Sequence, residues 1–82
     1  MKAPTKKQCV LVRCINGTQH PGLRFQVTVD PARVRDEYIR FGIGYDTGGR
    51  GDELTGWMKL TEWEIDYVFG DVDDAGNVTP ET

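Results

Sequence analysis

The sequence predicts an all-β domain of five short strands, and three features of the chain carry that prediction. Apolar residues recur with a period of two, which places them on one face of an extended strand. Turn-forming pairs such as Asn16-Gly17 and Pro21-Gly22 separate the apolar segments. The 82 residues allow only one small domain, because two domains with separate cores would typically need about 100 residues each or more.

Each predicted strand has its own pattern. Residues 8–15 form a nearly continuous Val-rich run, which is typical of a strand covered on both faces. Residues 23–29 and 37–45 alternate apolar with other residues, and residues 57–60 form a short apolar fourth strand. In residues 63–69 the alternation predicts one buried face made of four large side chains: Trp63, Ile65, Tyr67 and Phe69.

Two short helical turns are expected between these strands. Asp30 can cap a single turn that starts at Pro31, since proline is favoured at the first helical position. Thr61 and Glu64 match the capping-box pattern, so the last segment also admits a helix. Its aromatic and β-branched residues favour one turn at residues 61–63 followed by a strand.

The chain divides into three parts by composition. Residues 1–7 are predicted to be a flexible basic N-terminus, residues 8–70 a single small β-barrel domain, and residues 71–82 a mobile acidic tail with little to bury. No apolar run reaches the roughly 18 residues of a membrane-spanning helix, and the N-terminus lacks the apolar region of a secretory signal. We therefore expect a cytoplasmic protein without membrane contact.

Charge is distributed unevenly over a net charge of −3. Residues 1–41 carry eight bases against three acids, whereas residues 42–82 carry two bases against ten acids. This asymmetry can steer a charged partner to one side, unless folding mixes the charges again in space.

The Cys and His content argues against several kinds of chemistry. Cys9 and Cys14 are separated by about 16 Å in an extended strand, too far for a disulfide, which needs Cα atoms within about 7 Å. Two Cys and one His cannot supply the four ligands of a structural zinc site. Because no nucleophile with a base and an orienting group is evident, we expect a protein without cofactor, metal or catalytic residues.

The candidate binding surface consists of residues outside the apolar alternations. Tyr38 and Trp57 are expected to be exposed, whereas Trp63 and Tyr45 fall on core faces. Together with the loop of residues 46–53, these two aromatics predict a protein-binding surface, whose proposed members are Tyr38, Trp57, Arg50, Asp52 and Glu53.

Two other binding modes remain open from the sequence. Single-stranded nucleic acid could bind an Arg-rich face with Tyr38 between the cations, formed by Arg13, Arg24, Arg33, Arg35 and Arg40. Alternatively, a row of acids could imitate phosphates and occupy a basic site on a host nucleic-acid enzyme: Glu62, Glu64, Asp66, Asp71, Asp73 and Asp74. The sequence does not indicate an oligomeric state.

Four segments resemble a known family. The runs are CVLVRCING, HPGLRFQVTV, EYIRFGIGY and GWMKLTEWEIDYV, and they are similar to the Src-homology-3-like barrel, most of all to its short members in bacteriophage and prophage genomes. The resemblance implies a five-stranded barrel with one short helical turn before the closing strand, and a role as a phage-type accessory or host-interaction protein. The first strand lacks the paired tyrosines of the peptide-binding members, so recognition of Pro-rich ligands is not expected.

Overall fold

The computed structural model describes residues 1–17, 22–43 and 53–80. This part of the chain is all-β, as predicted, and contains two isolated 3₁₀ turns at Pro31–Arg33 and Leu60–Glu62. Its strands are β1 Gln8–Cys14, β2 Arg24–Val29, β3 Val34–Arg35, β4 Tyr38–Ile39, β5 Gly42–Ile43, β6 Glu53–Leu54, β7 Met58–Lys59, β8 Trp63–Val72 and β9 Val78–Pro80.

The strands are arranged in two antiparallel sheets. The larger has the order β6-β5-β2-β1-β8-β9 and the smaller the order β3-β4-β7. Over the described residues these sheets do not close into the expected five-stranded barrel. The predicted third strand is divided, because its first half, β4, joins the small sheet and its second half, β5, joins the large one.

The hydrophobic core lies between the two sheets. The large sheet contributes Val10, Val12, Val27 and Val29, and Ile39 and Leu60 face them from the other side. Trp63 is 2% exposed and its ring lies 5.7 Å from Phe25 and 5.6 Å from Phe41. The prediction that Trp63 belongs to the core is therefore confirmed.

The expected buried face of β8 is wrong at Tyr67, which is 60% exposed. β8 pairs with β1 through two register shifts, so that Val12 opposes Ile65 but Leu11 opposes Tyr67. Each shift leaves one extra residue in β8, as in a β-bulge, and the first extra residue is Asp66. This bulge reverses the alternation, and Val68 packs against the core instead of Tyr67.

The alternation predicted for residues 23–29 is not seen in the burial of β2, whose first half is exposed throughout and whose second half is buried at all three positions, Thr28 included. Val27 and Val29 are buried, whereas Leu23 and Phe25 are exposed. β5 joins β2 at a single described pair, Thr28 with Gly42. The first half of β2 is therefore covered less completely than the second.

One of the two predicted turns forms as expected. The side chain of Asp30 accepts a hydrogen bond of 2.9 Å from the backbone N–H of Ala32 and caps the turn that begins at Pro31. The second turn begins at Leu60, one residue earlier than predicted, and its N-cap, Lys59, makes no side-chain capping bond. The Thr61 capping box is therefore not the signal that starts this turn.

Both terminal segments make contacts that the sequence did not predict. The Met1 ammonium donates to the backbone oxygens of Leu60 and Trp63 at 2.6 and 2.7 Å. At the other end, β8 continues to Val72 and β9 pairs with it, so residues 71–80 form a hairpin where an irregular acidic tail was expected. The acidic composition did not reveal this, because backbone pairing needs a register and a turn rather than much apolar surface.

Cys9 and Cys14 form no disulfide, as predicted, and both are buried. In the described part of the chain, no helix has both the length and the hydrophobicity needed to span a membrane.

Candidate binding surface

The outer face of the small sheet carries a row of two cations and one aromatic residue. Arg35 lies opposite Tyr38 across the β3–β4 pair, and Tyr38 lies opposite Lys59 across the β4–β7 pair. Directly opposed residues of an antiparallel sheet point to the same side. All three side chains are exposed. We call Arg35, Tyr38 and Lys59 the cationic row.

The other face of the small sheet holds the row in place. It carries Val34, Ile39 and Met58, of which Ile39 is fully buried and the other two are packed against the core. These alternate positions are apolar, so the sheet has one buried and one open side. The cationic row is thereby directed outward.

A tight turn brings Arg35 and Tyr38 together. Asp36 has a φ of 55°, in the left-handed region that Asp tolerates better than most residues. The backbone oxygen of Glu37 accepts a 2.8 Å hydrogen bond from the N–H of Leu60, which connects this hairpin to the second 3₁₀ turn. The hairpin is therefore fixed to the element that follows β7.

Trp57 lies beside the cationic row. An open groove of about 390 Å³ is lined by Arg35, Asp36, Tyr38 and Trp57. Tyr38 is 42% and Trp57 47% exposed, which confirms the prediction that both are surface residues. The fold therefore brings two residues from separate parts of the sequence into one groove.

Arg40 orients the indole of Trp57. Its guanidinium carbon lies 5.7 Å from the centroid of the ring, within the range of a cation–π contact. Arg40 Nε also donates a 2.9 Å hydrogen bond to the backbone oxygen of Thr55. Because the guanidinium that contacts the indole is itself anchored to Thr55, Trp57 is partly preorganised as a docking residue.

The remaining predicted members of the protein-binding surface are not in this groove. Glu53 is exposed on β6, where it pairs with Ile43 in the large sheet. Arg50 and Asp52 lie outside the described residues, as does Tyr45. The structure thus joins Tyr38 with Trp57 and adds Arg35, which the sequence had assigned to the nucleic-acid face.

The five predicted Arg residues do not form one continuous face. Arg13 and Arg24 are directly opposed on β1 and β2, whereas Arg35 and Arg40 are associated with the small sheet, and Arg33 ends the first 3₁₀ turn. The expectation that all five line adjacent strands is therefore wrong. The reason is that β3 and β4 pair in the small sheet, whereas β1 and β2, which carry Arg13 and Arg24, pair in the large one.

Arg13 and Arg24 are also neutralised by acids of β8. Arg13 forms ion pairs with Glu64 and Asp66, and Arg24 Nε lies 3.2 Å from Asp66 Oδ2. The hydrogen bond and charge of Glu64, together with the charge of Asp66, raise the pKa of Arg13. We call these four residues the paired cluster.

The proposed acidic decoy is similarly affected, because several of its carboxylates are already engaged. Glu64 and Asp66 belong to the paired cluster. Hydrogen bonds from Gln8 and then Lys6 lower the pKa of Asp71. The backbone N–H of Asn77 lowers the pKa of Asp73, whose side chain holds the β8–β9 turn. A row of unoccupied phosphate mimics is therefore not what the fold presents at these positions.

Lys59 is the functional candidate that the sequence reasoning missed. It lies two residues after Trp57, and residues two apart in an extended segment share a face. Since Trp57 was already expected to be exposed, this spacing was the available signal. The apolar composition of residues 57–60 obscured it.

A second, wholly different opening lies at the seam of the sheets. It has a volume of about 230 Å³ and is lined by Phe25, Val27, Phe41, Ile43, Thr55, Met58 and Trp63. These residues expose almost no polar atoms to this opening, so they offer little that could orient a polar ligand. This opening carries hydrophobic surface only.

The groove presents a guanidinium, a carboxylate, a phenol and an indole. Among residues 1–17, 22–43 and 53–80, no three His, Cys, Asp or Glu side chains come together as metal ligands. Comparisons of the chain with protein-family models, curated proteins and solved structures found no match. The functional argument therefore rests on the geometry of the groove.

Proposed function

We propose that this chain is a small non-enzymatic protein-binding module that docks another protein on the groove between Tyr38 and Trp57. The observation that carries the proposal is the pairing of two half-exposed aromatic rings in one groove, with Arg40 holding the indole. Tyr and Trp are favoured at binding hot spots because they offer large contact areas with few rotatable bonds. Arg35 adds a charged group at the same site.

The proposal includes the Src-homology-3-like class suggested by the sequence. Two features support it: a single 3₁₀ turn, Leu60–Glu62, directly precedes the last long strand, and that strand, β8, pairs with β1. With this class comes the proposed role as a phage-type accessory or host-interaction protein, acting in the cytoplasm of the host cell. Cys9 and Cys14 form no disulfide, which is compatible with such a reducing compartment.

The test is affinity capture from a lysate of the organism that encodes the chain, followed by mass spectrometry. We expect a specific partner to be retained by the parent protein and lost by the variants Tyr38→Ser and Trp57→Ser. The matched control is Tyr67→Ser, which removes a more exposed aromatic from the outer face of the large sheet. A partner that stays bound to both groove variants, or that is lost equally with the control, would contradict the proposal.

Single-stranded nucleic acid is the second candidate ligand, and the cationic row is the specific observation that favours it. Cations flanking an aromatic ring allow base stacking together with phosphate contacts. Such binding predicts an affinity for oligonucleotides that falls steeply with salt and depends on Tyr38. An electrophoretic shift assay at low salt that shows no complex would eliminate this candidate.

A further inference from the structure

We propose that the partner segment recognised by this groove is an extended acidic peptide, with carboxylates bound by Arg35 and Lys59 and an apolar side chain against Trp57. This inference rests on the proposed function and specifies the chemistry of its ligand. It depends on the charge of the cationic row, on the spacing of its cations and on the composition of the groove wall.

The charge argument comes from the lack of partners for the two cations. Neither Arg35 nor Lys59 forms an ion pair with another residue in the described part of the chain, although both are exposed. By contrast, three cations outside the small sheet contact carboxylates: Arg13, Arg24 and Lys6. The small sheet therefore presents a local positive site on a protein of net charge −3.

The spacing suits an extended segment. Arg35 and Lys59 lie on β3 and β7, with β4 between them, so their backbones are separated by about 10 Å. Carboxylates two residues apart in an extended peptide lie on one side of it, about 7 Å from one another. The long Arg and Lys side chains can bridge this difference, while the peptide crosses the ring of Tyr38.

The groove wall favours a peptide over a nucleic acid. Asp36 lines the groove together with Arg35, so one carboxylate lies close to a cation of the row. A phosphodiester backbone carries a negative charge at every nucleotide, and its phosphates offer no hydrogen-bond donor, so Asp36 would repel it. An acidic peptide carries a charge only at some residues, and its backbone N–H groups can donate hydrogen bonds to a carboxylate.

The experiment is an NMR titration of the ¹⁵N-labelled full chain with a synthetic peptide in which one residue separates two Glu residues and Leu flanks them. The comparison peptide has Gln at both Glu positions. We expect the Glu peptide to shift the amide signals of β3, β4, β7 and Trp57, and the Gln peptide to bind at least roughly tenfold more weakly. Raising the salt concentration from about 0.05 M to about 0.5 M should weaken the binding of the Glu peptide.

Variants assign the effect to the cationic row. Arg35→Gln and Lys59→Gln should each reduce the affinity roughly threefold. Arg24→Gln is the matched control, because it makes the same change in net charge on the other sheet. The double variant Arg35→Glu/Lys59→Glu should instead prefer a peptide with Lys at both Glu positions. This reversal is a gain of binding that an unfolded protein cannot produce.

The outcomes separate the two proposals. Equal binding of the Glu and Gln peptides, equal losses in Arg24→Gln and Arg35→Gln, or tighter binding of oligothymidine than of the Glu peptide would overturn the acidic-peptide inference. The protein-binding function would still stand if a captured partner depended on Trp57 but not on Arg35 or Lys59. If neither pair of variants affected the captured partner, both proposals would fail.

Discussion

The outer faces of the two sheets use similar charged residues in opposite ways. On the large sheet, Arg13 and Arg24 are directly opposed, and Glu64 and Asp66 of β8 neutralise them. On the small sheet, Arg35 and Lys59 flank Tyr38, and no ion pair occupies them among the described residues. The number of Arg residues on a strand therefore says little about binding, because the neighbouring strand decides whether their charge is available.

The largest effect is expected from a substitution in the hydrophobic core that the two sheets share, because it destabilises both outer faces. Trp63 lies against Phe25 and Phe41, so Trp63→Ala should lower the free energy of unfolding by about 3–5 kcal/mol. Chemical denaturation followed by circular dichroism measures this change. The control Trp57→Ala should change the stability by only about 0.5 kcal/mol, since its ring is half exposed. Similar losses from both variants would mean that Trp57 is a core residue and not a docking residue.

A smaller, local effect is expected at the edge of the large sheet. A Cβ at Gly70 would collide with the backbone of Thr79 in β9. Gly70→Ala should therefore displace β9 while β1 and β8 stay paired, and hydrogen exchange should accelerate at the amides of Val78 and Thr79, since Pro80 has no amide proton. The matched control is Gly56→Ala, where a Cβ meets nothing within 4 Å. Unchanged exchange in β9 would show that this strand does not depend on the close approach.

The difference between paired and available cations can be measured directly. A double-mutant cycle of Arg13→Gln with Glu64→Gln should reveal a coupling free energy that salt diminishes, because the two side chains form an exposed ion pair. The cycle of Arg35→Gln with Glu64→Gln should show none. Thermal denaturation of the single and double variants gives both values. Equal coupling in the two cycles would remove the distinction between the faces.

The smallest effect concerns the turn that follows β8. The N–H groups of Asn77 and Ala75 donate to the Asp73 carboxylate and lower its pKa below the ordinary value of 3.8. A lowered pKa in the folded state means that the carboxylate stabilises the turn above pH 3.8 and loses this effect as the pH falls through the folded-state pKa. NMR titration of Asp73 should give a midpoint below 3.8. A midpoint at or above 3.8 would contradict the role of these hydrogen bonds.

The sequence predicted the parts of the fold that depend on local patterns. The all-β class, the exposure of Tyr38 and Trp57, the buried Trp63 and the Asp30-Pro31 turn all follow from alternation or from turn chemistry. Local patterns do not reveal how strands pair. The exposure of Tyr67 depends on a bulge opposite Leu11, and alternation alone assumes a strand without bulges.

The candidate site was predicted only in part for the same reason. Tyr38 and Trp57 could be selected from the sequence, but the position of Arg35 beside them depends on the register of β3 with β4. Lys59 joined the site because β7 pairs with β4, a contact between segments about twenty residues apart in the sequence. Such non-local pairing cannot be obtained from a single sequence by periodicity, and neither can the neutralisation of Arg13 by Glu64.

The two bulges of β8 have a consequence for how this protein can vary. The first bulge, at Asp66, shifts the inward-facing positions of β8 by one residue. The second register shift restores the original phase before Asp71. Tyr67 and Leu11 are therefore opposed on the outside, while Val68 and Val10 are opposed on the inside. Side chains at the outer pair can change from one homologue to another without altering the volume of the interior, whereas loss of one residue between Ile65 and Tyr67 would exchange the two environments.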